Sequence, residues 1–278
     1  MFWYDGALRA TPVAPFDLSD RGLNLGDGVF DTSRAQNGRI FLRNAHLERL
    51  ASAAKALAIP FAQEQASEAL DRLAAAIGQG SVRLTLTRGG GGRGLLPPKD
   101  PKPLFFGAAA PAPPAFPILS LAATKIRRNE TSLAAVVKAL PYLDAILGLQ
   151  EAEAKGADEA LFLNTQSRIA CLASANIFAV FGREIVTPPL ADGVLAGTVR
   201  AFVLAKARSL DLAPAERSLD PSELLAADAL FATSSLKLIA PCRSLQAKSF
   251  ASSENPHVKT LQAAIREAMA AECGTVEV

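Results

Sequence analysis

Near its middle the chain reads GAAAPAPPAFP from Gly107 to Pro117, eleven residues with four prolines and no charge. Proline fixes φ and removes a backbone donor, so this stretch suits neither a helix interior nor a central strand and acts as a semi-rigid tether. A chain of 278 residues interrupted there reads as two domains. The expected division is a smaller N-terminal α/β domain over 1–108, a linker over 109–117 and a larger C-terminal domain over 118–278.

Periodicity supplies the elements on either side. Asn37-Gly38 between apolar runs signals a tight hairpin turn. His46–Ile59 and Ser67–Ile77 carry apolar residues at helical spacing, whereas Ser81–Thr87 alternates with Val82, Leu84 and Leu86 inward, as a strand does. That strand runs into Arg88-Gly-Gly-Gly-Gly-Arg93-Gly94, which fits no regular element. Beyond the tether, strand-like Ile118–Ala123 precedes a helix over Leu143–Lys155 with Gly156 as its cap. Strands follow at Glu159–Leu163, Ile177–Phe181, Glu184–Thr187 and Ala229–Ala232. Helices are expected at Val199–Arg208, Pro221–Ala226 and His257–Ala271. The fold class is therefore α+β or mixed α/β.

Composition narrows the chemistry. Lys plus Arg is 29 and Asp plus Glu 27, a net charge of +2, which leaves no basic footprint for nucleic acid. Two histidines and three scattered cysteines, with no CxxC, argue against a metal centre and against a disulfide scaffold. The sparse thiols point to a reducing cytoplasm. Neither a signal peptide nor a membrane span is expected. Chemistry is left to lysine, carboxylates, hydroxyls or a borrowed cofactor.

Lys138 is the only charged residue in LAAVVKALPYL. At a strand end it would snorkel to water, but a desolvated amine there is a nucleophile suited to Schiff-base formation. Leu195-Ala-Gly-Thr-Val-Arg200 enters a helix, so Gly197, Thr198 and Val199 offer free N–H groups to an anion, and Thr233-Ser-Ser235 offers a second polar turn. The glycine run admits close approach to backbone, with Arg93 as a carboxylate clamp. Arg49 reads as a solvated helix residue or a phosphate ligand. His46, His257, Cys242 and Cys273 read as structural or solvated, and Asp27 and Asp31 as turn or cap residues.

Seven segments together carry a resemblance: DRGLNLGDGVFDT, NGRIFLRNAHLERL, LTRGGGGRG, VKALPYLDAILGLQEAEAKGADEALFLN, SANIF, TPPLADGVLAGTVR and FATSSLKLIAP. From about Tyr4 to Pro241 the chain resembles the class IV aminotransferase family, the fold-type IV pyridoxal 5'-phosphate (PLP) enzymes. Within it, the likeness is greatest to aminodeoxychorismate lyase. The resemblance implies a two-domain fold with the PLP lysine in the larger domain, a homodimer and a small amine or amino-acid substrate. It implies Lys138 as the Schiff-base lysine and proton shuttle, and Arg49, Gly197, Thr198, Val199, Ser234 and Ser235 as phosphate ligands. Tyr142 falls beside the cofactor's phenolic oxygen, and Phe30, Thr32 and Arg93 on the substrate side.

Two positions depart from the family pattern. Val199 stands directly before Arg200, where the family has threonine. Cys171 stands five residues before Asn176, where the family has the glutamate that pairs with the pyridine nitrogen. A thiol does not hold a proton on a pyridine at neutral pH. The resemblance thus implies a lyase releasing pyruvate to give 4-aminobenzoate. The alternatives are an aminotransferase for branched-chain or D-amino acids with a 2-oxo acid acceptor, and a weakly or non-catalytic PLP-fold protein.

Overall fold

A computed structural model describes residues 1–92 and 94–275. Contacts gather them into two units. The first comprises, of the described residues, Met1–Pro113, Val137–Pro141 and Met269–Val278; the second comprises Pro114–Val136 and Tyr142–Ala268. The division falls within the expected tether, but the short segment carrying Lys138 joins the first unit, not the larger second one.

The first unit opens with β1 (Phe2–Tyr4), β2 (Ala7–Arg9) and the short α1 (Arg21–Leu25). There follow β3 (Gly28–Gln36), β4 (Arg39–Ile40), α2 (Arg43–Ala56), α3 (Gln63–Ile77), β5 (Gly80–Thr87) and β6 (Leu104–Ala110). The strands form an antiparallel sheet in the order β2-β1-β6-β5-β3-β4. Asn37 and Gly38 both take positive φ, the backbone a two-residue hairpin turn requires. The apolar stripes of α2 and α3 bury Leu47, Leu50, Leu70 and Leu73 against Val82, Leu84 and Leu86 of β5. The period-2 reading of β5 thus holds. β6 runs on to Ala110, so residues 109 and 110 are strand rather than linker.

The second unit contains β7 (Leu119–Arg128), α4 (Leu133–Val136), α5 (Leu143–Glu153), β8 (Glu159–Asn164), β9 (Ile169–Leu172), β10 (Asn176–Phe181) and β11 (Glu184–Thr187). After a 3-10 turn at Leu190–Asp192 come α6 (Thr198–Ser209), β12 (Ala213–Glu216), α7 (Pro221–Ala226), β13 (Ala229–Ser234), β14 (Leu238–Leu245), β15 (Lys248–Ser249) and α8 (Pro256–Cys273). The sheet order is β12-β11-β10-β13-β14-β7-β8-β9, with β15 on β14. It is mixed: β11 with β12, β14 with β7 and β7 with β8 run parallel, the remainder antiparallel. Its central strands are buried on both faces and read as continuous apolar runs, which is why period-2 patterning is absent from Ile177–Val180 and Ala229–Ala232. Gly148 of α5 is a packing requirement, since a Cβ there would stand 2.3 Å from the Phe162 ring. Among the described residues no helix is long and apolar enough to cross a membrane.

Candidate active site

Lys138 is placed by an unfilled strand edge. β4 pairs with β3 only at Ala35 and Gln36, which leaves the edge of Gly28–Phe30 open. Residues 138–140 fill it: the Phe30 N–H donates to the Lys138 carbonyl at 3.0 Å and the Leu140 N–H to that of Gly28 at 2.9 Å. A Cβ on Gly28 would lie 2.6 Å from both Leu140 Cδ1 and the Leu86 carbonyl oxygen, so glycine is what permits this docking. Lys138 Nζ then lies 4.5 Å from the centroid of the buried Phe30 ring. The Arg83 guanidinium lies 3.6 Å from the same centroid, and Arg83 is the register partner of Thr32. The structure therefore brings Lys138, Phe30 and Thr32 together. It adds Arg83, which sequence reasoning missed because a lone arginine in an alternating strand looks like a solvated face.

The other face of β3 carries Asp31. Its carboxylate accepts from Arg49 Nε at 2.7 Å, from Arg49 Nη2 at 3.0 Å and contacts His46 Nδ1 at 2.6 Å. Burial raises the Asp31 pKa, but the charges and hydrogen bonds of Arg49 and His46 outweigh it and hold the group at about 2. Asp31 is thus neither turn nor cap, and His46, its buried partner, is a structural histidine. Arg49 is clamped through Nε and Nη2, while no hydrogen bond among the described residues uses its Nη1. Asp31 and Arg49 are 18 residues apart, so no local pattern showed the pair.

The start of the glycine run is crowded by the protein's own chain, whereas Gly92 and Gly94 face open space. Gly89 has φ +84°, and a Cβ there would stand 1.7 Å from the Lys102 carbonyl oxygen; at Gly90 it would meet Asp17 Oδ2 at 2.1 Å. Arg88 is buried, with Nε 2.8 Å from Asp27 and its terminal nitrogens on the Ala58 and Leu57 carbonyls. Arg21 shares Asp27 and grips the carbonyls of Gly94, Leu95 and Leu96. Asp27 is thus the anchor of an arginine pair rather than a turn residue. Arg93 lies outside the described residues.

In the second unit, Gly197 is the N-cap of α6 and supplies no side-chain acceptor, so the first-turn amides of Thr198, Val199 and Arg200 have no intrahelical partner. A Cβ on Gly197 would lie 2.1 Å from Asn176 Oδ1. Asn176 in turn donates Nδ2 to the Leu195 carbonyl at 2.9 Å and fixes the approach to the helix. The hydroxyls of Thr198 and Ser235 stand 3.4 Å apart. Thr233, opposite Asn176 in register, has a buried hydroxyl with no partner. Ser234 instead accepts from the Lys237 amide at 3.1 Å and closes its own turn. Val199 is a core residue, 1% exposed, and offers only its backbone. Free amides, two hydroxyls and an orphaned third form a donor set suited to a phosphate.

Tyr142 precedes α5 and packs against the apolar cluster that contains Ala160, Phe162 and Cys171. Cys171 pairs with Phe162 across β8 and β9. Burial pushes its thiol pKa up, against the pull of the nearby Arg128 guanidinium. Glu159, the carboxylate on β8, alternates to the face opposite Phe162. There its Oε2 accepts from Lys237 Nζ at 2.8 Å and from Ser174 at 2.7 Å, and its Oε1 is buried without a partner.

The fold is that of the fold-type IV PLP enzymes. The chain superposes on the crystal structure of 4-amino-4-deoxychorismate lyase from Pseudomonas aeruginosa with a TM-score of 0.87 at 31% identity, covering 96% of this chain and 98% of the other. Residues 28–245 match the model of amino-transferase class IV, and the chain belongs to that family. A putative branched-chain-amino-acid aminotransferase of Methanocaldococcus jannaschii is 33% identical over 235 residues, 82% of each chain. A D-alanine aminotransferase of Listeria monocytogenes is 28% identical, covering 95% of this chain and 94% of that one. The chain is a PLP-dependent enzyme. Each unit carries a feature that fits that cofactor: the first an amine over an aromatic ring, the second a phosphate-type donor set.

Proposed function

We propose that this chain is an aminodeoxychorismate lyase-type enzyme, releasing pyruvate from 4-amino-4-deoxychorismate to leave 4-aminobenzoate. The observation that carries the reading is the buried Cys171, its thiol pKa pushed up by burial, with the Glu159 carboxylate that acts on it tied to Lys237 and Ser174. When bound, PLP supplies an electron sink for charge developing at the amine-bearing carbon. A ring nitrogen with no carboxylate partner makes that sink weaker. Reversible transamination depends on it throughout, whereas an elimination ending in an aromatic ring has its own driving force. The 31% identical lyase neighbour supports the same choice.

Lys138 would hold the cofactor's aldehyde, and its Nζ would take the proton from the amine-bearing carbon of the substrate. In the second unit, the amides of Thr198, Val199 and Arg200 and the hydroxyls of Thr198 and Ser235 would hold the phosphate, and the resemblance keeps Arg49 as a phosphate ligand. Tyr142 stands by the ring. Arg83, its guanidinium 3.6 Å from the centroid of the Phe30 ring that Lys138 Nζ also approaches, would hold a substrate carboxylate, with Thr32 as neighbour. Arg93 is kept as a second carboxylate clamp. The enzyme works as a cytoplasmic homodimer; the exposed Leu143, Ile146, Leu147 and Leu149 of α5 support a self-association surface.

The second reading is an aminotransferase of branched-chain or D-amino acids, favoured by the 33% and 28% identical relatives. Pyruvate release with no amino acceptor present separates the two. The protein should purify yellow, and borohydride should fix the cofactor to Lys138, as peptide mass mapping reads. Lys138→Ala should abolish both. Restoring glutamate at position 171 should stimulate transamination more than lyase activity; the reverse order refutes the lyase argument.

A further inference from the structure

Arg128 ends β7 and takes no part in holding the phosphate or the aldehyde. Its guanidinium lies 4.7 Å from the centroid of Phe162. Its Nε is buried without a hydrogen-bond partner, and among the described residues it forms no ion pair. Phe162 is the register partner of Cys171, so strand pairing sets guanidinium, aromatic ring and thiol together on one face. A guanidinium has only donors and keeps its charge at every pH a protein survives. Glu159 is the carboxylate whose charge also reaches the Cys171 thiol, and its own hydrogen bonds are spent elsewhere. Glu159 points from the other face of β8 and is tied to Lys237 and Ser174, Tyr142 brings a phenol, and the Cys171 thiol is neutral.

We propose that Arg128 sets the charge state of the cofactor ring, keeping the ring nitrogen of bound PLP unprotonated at neutral pH. The inference rests on the reading of Cys171 as the residue at that nitrogen. A protonated ring nitrogen would add a second cation beside Arg128, whose guanidinium offers it no acceptor. An unprotonated one presents a lone pair, which accepts. Like charge at short range disfavours the charged form, and the Glu159 carboxylate is already balanced by Lys237. The same charge state weakens the electron sink and selects among reactions, so the arginine acts as a positioning residue for the electronics of the site.

The test is the ring-nitrogen resonance of holoenzyme reconstituted with PLP carrying 15N in the ring, since protonated and unprotonated pyridines are well separated. Wild type at pH 7 should show the unprotonated position, as should Cys171→Ser, which changes no charge. Cys171→Glu should move the resonance to the protonated position. Arg128→Gln needs no new carboxylate to fold around, and it should raise the ring-nitrogen pKa, read by titrating the same resonance, by about one unit or more. A protonated ring in wild type overturns the proposal, as does an unchanged pKa in Arg128→Gln. A wild-type ring that loses its proton only in Glu159→Gln also overturns it, by making Glu159 the partner. Borohydride reduction of the same samples keeps the two levels apart. No adduct on Lys138 means the cofactor reading itself has failed. An adduct on Lys138 with a protonated wild-type ring overturns the Arg128 inference alone.

Discussion

Substituting Asp31 by Asn keeps the shape of the side chain and removes the charge that Arg49 and His46 face. The structure gives the size of the effect. Asp31 is 4% exposed and receives three contacts of 3.0 Å or less. Its pKa of about 2 against an ordinary 3.8 corresponds to roughly 2 kcal/mol of native-state stability at neutral pH. The neutral amide would also leave the largely buried guanidinium of Arg49 without its counter-charge, and removing one partner of a buried pair costs about 3 kcal/mol or more. Asp31→Asn should therefore lower the urea-unfolding free energy of the apo protein by about 3 kcal/mol at pH 7. The sign of the pH dependence follows from the depressed pKa. The wild-type contribution is fully present above the unfolded-state value near 3.8 and is lost as pH falls toward 2. The gap between the two proteins should narrow by roughly 1 kcal/mol between pH 7 and pH 3. Cofactor affinity should drop about tenfold, because Arg49 loses the contacts that aim Nη1. Equal urea midpoints at pH 7, or a gap that ignores pH, would refute the argument that Asp31 anchors Arg49 electrostatically.

The remaining expectations are more local. Gly197→Ala puts a Cβ 2.1 Å from Asn176 Oδ1 and should cut PLP affinity at least about tenfold, by displacing the start of α6, while unfolding shifts little. Arg88→Ala should destabilise the apo protein by about 3 kcal/mol, since it frees Asp27 and strips the Leu57 and Ala58 carbonyls of their donors; calorimetry reads this. All three cysteines are buried, with burial holding Cys171 up and, first among its causes, lifting Cys273 to about 11. A thiol reagent at pH 8 should find no reactive group in the native protein and three after denaturation.

What the sequence discloses and what it hides divide along one physical line. The α6 N-terminus, the Asn37-Gly38 hairpin and the alternating β5 are legible because each is set within a few residues by backbone preference or period. Lys138 stands out because one charge interrupts an apolar run. Yet its unit depends on the empty edge of β3 more than 100 residues earlier, and no period records that. The same holds for charge partners. Arg88, Arg49 and Arg83 look alike as arginines, yet one ties loop carbonyls, one is clamped by a buried carboxylate and one lies on Phe30. The glycine run misleads for a related reason: glycine marks that something approaches the backbone, without saying whether a ligand or Lys102 does so. Cys171 combines both cases. Its spacing from Asn176 is a local fact, which raises the question of ring charge. The answer depends on Arg128, 43 residues before Cys171 and brought to the same face only by the pairing of β7, β8 and β9. The meaning of cysteine at this position therefore depends on the cation that the sheet sets beside it.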